Sequence, residues 1–346
     1  MSDSPAIEAA SRPSRTRRVV IGIITAALIA LAFFGLMPAL ADYDEVWRAI
    51  QKIPIAAIVG LVVVGVTSQL IGALPTMVVI PGLHLGRALY WRLVSSAAAN
   101  TIPGGGAVGV GLTYVMLGRW GHSAAEIGAS VVLTGVWNNL ARMLLPAVAL
   151  LAAWFTDVEM ASLAEGTLIG VVALLSSAAA IVIVLRSSLK YRVLKPIDRI
   201  IAWVRRIMHK PVHPADSPSA RFLAVIGDAV GTRWVRLMLA TLAYHLSLYA
   251  CLQVALRAVG VTSADVHWVE VLAAFSLVRL ISTIPLTPGS LGVTEVGLTG
   301  LLTVGFDAEH SALVAAGVLV FRFVTYAVPT VAGAIAAIAW SRSRAK

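Results

Sequence analysis

Charge is scarce in this chain. Only 13% of its 346 residues are Asp, Glu, Lys or Arg, while 59% are hydrophobic. A soluble globule of this size needs more polar surface than that. A single cysteine, Cys251, rules out an internal disulfide. It sits in an apolar run and reads as a small packing residue. There is no lysine-bearing nucleotide loop, no paired Cys or His metal spacing and no nucleophile elbow. The longest polar connector is too short for a catalytic domain of about 100 residues. These absences leave an all-α integral membrane protein, expected to be neither an enzyme nor a carrier of metal or cofactor. The formal charge of +10 raises nucleic acid as a partner, but the basic residues collect between apolar runs, as the positive-inside bias requires. Membrane lipid, not nucleic acid, is the expected partner.

What is present is a series of apolar runs, at 19–40, 54–80, 124–155, 168–185, 234–259 and 312–340. Each is long enough to span a bilayer. Arg12, Arg15, Arg17 and Arg18 precede the first run, which ends in Ala39-Leu40-Ala41, a sequence resembling a signal-peptidase site. Its roughly 22 residues exceed the 7–15 of a signal core, so an uncleaved anchor is expected. Loops with Asp42, Asp44 and Glu45, with Asp157, Glu159 and Glu165, and with Asp307 and Glu309 belong outside; segments with Arg87, Arg92 and Arg119 belong inside. Residues 186–233 form a basic cytoplasmic connector, whose stretch between Arg186 and Arg221 sets Arg186, Lys190, Arg192, Lys195, Arg199, Arg205, Arg206 and Lys210 against Asp198 and Asp216. Within it, 197–208 is amphipathic and suited to the membrane surface. The expected layout is a cytoplasmic tail at 1–18, a first membrane half at 19–185, the connector, a second half at 234–340 and a cytoplasmic tail at 341–346.

Two stretches interrupt this apolar pattern. Thr101-Ile102-Pro103, a glycine cluster, Gly109-Val110 and Gly111-Leu112-Thr113 are echoed by Thr283-Ile284-Pro285, a glycine cluster, Gly292-Val293 and Gly297-Leu298-Thr299. Backbone polar groups in hydrocarbon must be paired, so broken helix at membrane depth survives only where protein or a watery cavity covers it. Both stretches therefore mark a site. Charge at their ends predicts broken hairpins at 93–117 and 268–305, entering from opposite sides. With six spans, this is an inverted repeat of the kind that recurs in transporters. The hairpin tips are Pro103, Gly104 and Gly109 in one copy and Pro285, Pro288, Gly289 and Gly292 in the other.

Arg142, Arg279 and Arg322 lie inside apolar runs. An arginine at a helix centre costs at least about 2.5–3.5 kcal/mol on insertion scales, so each needs compensation. A lipid phosphate held by the guanidinium fork would supply it, as would an internal ion pair or a carbonyl. Asn138 lies four residues before Arg142 and Tyr326 four after Arg322, giving each half a polar pair on one helical face. Glu295 is a candidate ion-pair partner, proton carrier or contact for a cationic headgroup. His245 reads as a hydrogen-bonded packing residue.

Pro288-Gly289-Ser290-Leu291-Gly292-Val293-Thr294-Glu295 resembles the Pro-Gly-Gly-Leu-Gly-Val-x-Glu motif of the flippase-like membrane domain of lysyl-phosphatidylglycerol synthases, with Ser290 in place of the second glycine. Asn100 before Pro103-Gly104 is similar to that family's earlier element. The acidic residue and arginine that usually follow that element are missing, since 107–113 is uncharged. The resemblance implies movement of a phospholipid or another anionic headgroup-bearing lipid between leaflets of the cell membrane, without lipid lysylation. It also accommodates a non-transporting subunit partnered with an envelope-biosynthesis enzyme in a glycolipid pathway. An ion-coupled transporter of small solutes, with Glu295 as coupling carboxylate, is the third alternative.

Overall fold

The computed structural model describes residues 23, 26–101, 105–156, 218–284 and 287–342. Among the described residues there are helices and turns and no strand. A short apolar helix, Ala26–Leu36, ends in a π-helical turn at Leu31–Leu36. It is followed by α1 (Tyr43–Gln51), α2 (Ile55–Val79), α3 (Leu85–Thr101), α4 (Gly105–Arg119) and α5 (Ala124–Thr156). Then come α6 (Pro218–Thr232), α7 (Trp234–Ala258) and α8 (Trp268–Ile281). A 3-10 turn (Pro288–Ser290) leads to α9 (Val293–Leu302), and the chain closes with α10 (Ala308–Arg322), a π-helical turn (Phe323–Ala327) and α11 (Val328–Arg342).

Among the described residues, four stretches are long and apolar enough to cross a membrane: α2, α5, α7 and the continuous Ala308–Arg342. They match the expected runs at 54–80, 124–155, 234–259 and 312–340 to within a few residues. The outer face of α2 leaves Ile58, Val59, Val62, Val63 and Val66 exposed, a surface that suits lipid and not water. The run at 168–185, the basic stretch 186–217 and the tail at 1–18 lie outside the described residues. The 19–40 run is described in part, and its helix stops at Leu36, four residues short of expectation. There Leu40 N–H and Ala41 N–H both donate to the Met37 carbonyl, closing a turn. Residues 218–232, expected as the end of a connector, form α6, which packs Ala229 against Leu133, Trp137 and Leu237.

Side chains placed at helix starts explain where several helices begin. Asp42 accepts from the amides of Asp44 and Glu45 ahead of α1. Ser123 and Glu126 cap α5 reciprocally, at 2.7 and 3.2 Å, and Glu270 accepts from the His267 amide at the start of α8. Each such cap satisfies donors that a helix N-terminus otherwise leaves open.

Helix α3 packs against α4 and α11, α8 lies against α5, and α2 and α7 make the most extensive pairing. The α3–α11 contact is backbone-close, since a Cβ added at Gly333 would sit 2.1 Å from the Leu93 carbonyl oxygen. Gly333→Ala must therefore force the helices apart. The expected loss is about 1–3 kcal/mol, the usual range for overpacking, measured as a lower unfolding temperature in detergent.

Candidate functional site

The helices enclose a central cavity of about 520 Å³. Two of its walls share one pattern, in which polar residues recur at helical spacing on the inward face. On α3 these are Arg92, Ser95, Ser96 and Asn100, and on α5 they are Thr134, Asn138 and Arg142. Among the described residues, four arginines reach the cavity, Arg92, Arg142, Arg279 and Arg322, and no carboxylate lines it.

Only one of the four has an acidic partner among the described residues. Arg322 donates from Nε to Glu295 Oε1 at 2.8 Å and from Nη2 to the Gly289 carbonyl at 2.9 Å. Its guanidinium carbon lies 4.6 Å from the centre of the Tyr326 ring. Glu295 is 2% exposed and stands behind Arg322, outside the cavity. Its other oxygen accepts from the Gly292 amide at 2.7 Å and so caps α9. One carboxylate thus ties the second broken hairpin to α10 and starts the helix after the break.

The remaining arginines meet only neutral groups. Arg92 donates to the Gly72 carbonyl at 2.8 Å and lies 4.4 Å over the Tyr244 ring. Arg142 donates to the Ser282 carbonyl at 3.3 Å. Arg279 Nη2 lies 3.3 Å from His245 Nδ1, and His245 Nε2 lies 3.1 Å from Asn138 Oδ1. Arginine has no acceptor, so Nδ1 must accept; His245 then carries its proton on Nε2 and donates to Asn138. The Nε atoms of Arg92, Arg142 and Arg279 are buried without a hydrogen-bond partner.

The expected site residues fall into three groups. Asn100, Asn138, Arg142, Arg279, Arg322, Tyr326, Gly109 and Gly289 all line the cavity. Glu295, Gly292 and Pro288 support it from behind or beside, with Pro288 opening the 3-10 turn. Pro103, Gly104 and Pro285 lie outside the described residues. Asn100 is a structural bridge as well, donating to Thr330 Oγ1 at 3.1 Å while its carbonyl accepts from Tyr326 Oη at 2.9 Å. Arg92 and Tyr244 were missed as site residues. Arg92 was assigned to the flank of a span as a topological charge, yet the polar stripe Arg92, Ser95, Ser96 and Asn100 was visible at helical spacing.

The second break has a strained tip. Gly289 (φ 59°) and Gly292 (φ 81°) adopt left-handed conformations, and Ser290, at φ 56°, does so without being glycine. That is the position where the resembling motif carries its second glycine. Ser290→Gly relieves about 1–2 kcal/mol of left-handed strain and loses about 0.5–1 kcal/mol to the greater freedom of glycine unfolded. A net gain of about 0.5–1 kcal/mol is expected, read as a small rise in unfolding temperature.

A bundle of apolar helices, four of them long enough to cross a membrane, lining a cavity rich in arginine defines a membrane domain. The family described as the lysylphosphatidylglycerol synthase TM region matches residues 20–333, and the chain belongs to it. The matched part is the membrane region of that synthase family, not its catalytic domain. No individual curated protein matches the chain.

Proposed function

We propose that this protein carries a lipid with an anionic headgroup between the leaflets of the cell membrane, with the headgroup passing through the central cavity. The observation that supports this reading is the charge of the cavity. Four arginines line it, and only Arg322 has a carboxylate partner among the described residues. Buried cations without partners are costly, so their retention in a cavity fits an anion as the passing group. Guanidinium forks suit phosphate oxygens. Glu295 is already engaged by Arg322 and the Gly292 amide, which argues against its use as the coupling carboxylate of a small-solute transporter.

The inverted repeat belongs to the same reading. Arg87, near the start of α3, stacks 5.7 Å over Trp120, just after α4, and Trp120 packs 5.9 Å from Trp340 near the end of α11. Both ends of the first hairpin and the C-terminal end of the chain thus meet in one aromatic and basic cluster, of the kind that sits at a membrane interface. In this reading each hairpin enters and leaves on one side, the first from the cytoplasm and the second from outside, with both termini cytoplasmic. A cysteine at Asp307 is expected to react with an impermeant reagent from outside, and one at Ser217 is not. The opposite pattern would overturn this topology.

Transport is tested in liposomes holding the purified protein and labelled lipids, both anionic phospholipids and polyprenyl-linked species. Arg279→Gln and Arg142→Gln are each expected to slow transfer at least about tenfold, the effect of one lost charge-assisted contact of about 1.4 kcal/mol. Folding should be unharmed, because an uncompensated buried charge is removed. Failure to move any lipid in the panel defeats the proposal.

A further inference from the structure

We infer that the headgroup this cavity takes is a diphosphate, two linked phosphoryl groups, and not a single phosphodiester. The inference rests on the lipid-carrying reading above and names the chemical class of its cargo. It begins from the count of unmatched charges. The Arg322–Glu295 pair is internally neutral, leaving Arg92, Arg142 and Arg279 as three cations without a carboxylate partner among the described residues.

A phosphodiester brings one negative charge and leaves two of these cations buried and uncompensated. A diphosphate ester brings two or three. Donor capacity gives the same ordering. Each guanidinium has five N–H donors, and these three have one neutral acceptor apiece: the Gly72 carbonyl, the Ser282 carbonyl and His245 Nδ1. A diphosphate offers more oxygens on two centres, which three forks held on α3, α5 and α8 can share, whereas one phosphodiester offers two unesterified oxygens.

His245 and Tyr244 keep the three arginines in one network. Tyr244 lies under Arg92, and its neighbour His245 joins Arg279 to Asn138, one helical turn from Arg142. The imidazole is held neutral by donating to Asn138 and accepting from Arg279, so it adds no charge. Recognition in this cavity is therefore set by the arginines and by the valence of the anion.

The test is a binding series on the full chain in detergent, read by ligand-induced shifts in unfolding temperature, with inorganic pyrophosphate, inorganic phosphate, a polyprenyl diphosphate and phosphatidylglycerol. Pyrophosphate is expected to bind at least about tenfold tighter than phosphate, and the polyprenyl diphosphate at least about tenfold tighter than phosphatidylglycerol. Arg279→Gln and Arg142→Gln should each lower pyrophosphate affinity about tenfold without lowering the unfolding temperature of the ligand-free protein. The wild-type series needs no variant to fold. Tighter binding of the polyprenyl diphosphate than of pyrophosphate assigns the anion to a lipid, and equal binding assigns it to soluble diphosphate. Phosphatidylglycerol binding as tightly as the polyprenyl diphosphate overturns the diphosphate inference and leaves lipid carriage standing. Conversely, tight pyrophosphate binding with no lipid moved in liposomes overturns lipid carriage alone.

Discussion

Glu295→Gln is expected to destabilise the protein by about 3–5 kcal/mol, because it leaves Arg322 buried beside a neutral amide. The substitution is nearly isosteric, and glutamine still offers an oxygen to the Gly292 amide, so the cap on α9 survives and the loss isolates the charge. Glu295→Ala removes cap and charge together and should cost about 1 kcal/mol more. Arg322→Gln strands Glu295 in the same way. The double variant Glu295→Gln with Arg322→Gln should recover most of the stability of either single change, since no buried charge remains. Unfolding in detergent measures all four. If the double variant is as unstable as the sum of the singles, Glu295 and Arg322 do not act as a pair. Arg322→Lys adds a functional reading, because it keeps the charge for Glu295 but loses the second donor to the Gly289 carbonyl.

Gly289→Ala is the second large effect, expected at about 2–5 kcal/mol. About 1–2 kcal/mol comes from forcing an alanine to φ 59°. About 1–3 kcal/mol more comes from overpacking, since the new Cβ would lie 2.1 Å from Tyr326 Cε2. Tyr326 cannot yield freely: its hydroxyl donates to the Asn100 carbonyl at 2.9 Å and its ring lies under Arg322. In a Tyr326→Ala background the clash is gone, and Gly289→Ala should cost only the backbone part. Lipid transfer should fall in the single variant, because Tyr326 and Arg322 both line the cavity that it disturbs. An unfolding temperature for Gly289→Ala equal to wild type would mean that this turn does not hold its glycine against the ring.

Much of the fold was legible in the sequence. The runs at 54–80 and 234–259 end within a residue of α2 and α7 because proline, arginine and glycine flank them and the apolar stretch has a bilayer's length. The second break was readable because Gly289 and Gly292 supply the positive φ that the turn needs and Pro288 opens it. The beginning of α3 was less readable. The first hairpin was placed at 93–117, yet its helix starts at Leu85, since Arg87 and Arg92 were counted together as flanking charge. Which way an arginine points depends on what faces it. Gly72 across from Arg92 has no side chain, so the guanidinium occupies that space, 2.5 Å from where a Cβ would be. Neither Gly72 nor Tyr244 is near Arg92 in sequence. His245 was read as a packing residue bonded to something, and its partners Asn138 and Arg279 come from α5 and α8, which no local pattern joins.

The bridge at Asn100 also bears on how the chain is made. Its partners, Tyr326 and Thr330, lie 226 and 230 residues later. At about 5–20 residues per second a ribosome takes roughly ten to fifty seconds to cover that distance. Throughout that interval α3 has no α11 beside it, and the Asn100 amide and carbonyl lack the acceptor and donor they bond in the finished fold. Local hairpin contacts can form early, but this seam cannot close until Tyr326 and Thr330 have been made, and contacts so far apart in sequence are slow to form. A nascent chain stopped before Val328 therefore presents the surface of α3 that α11 would cover, a surface by which quality control can tell an unfinished chain from a finished one.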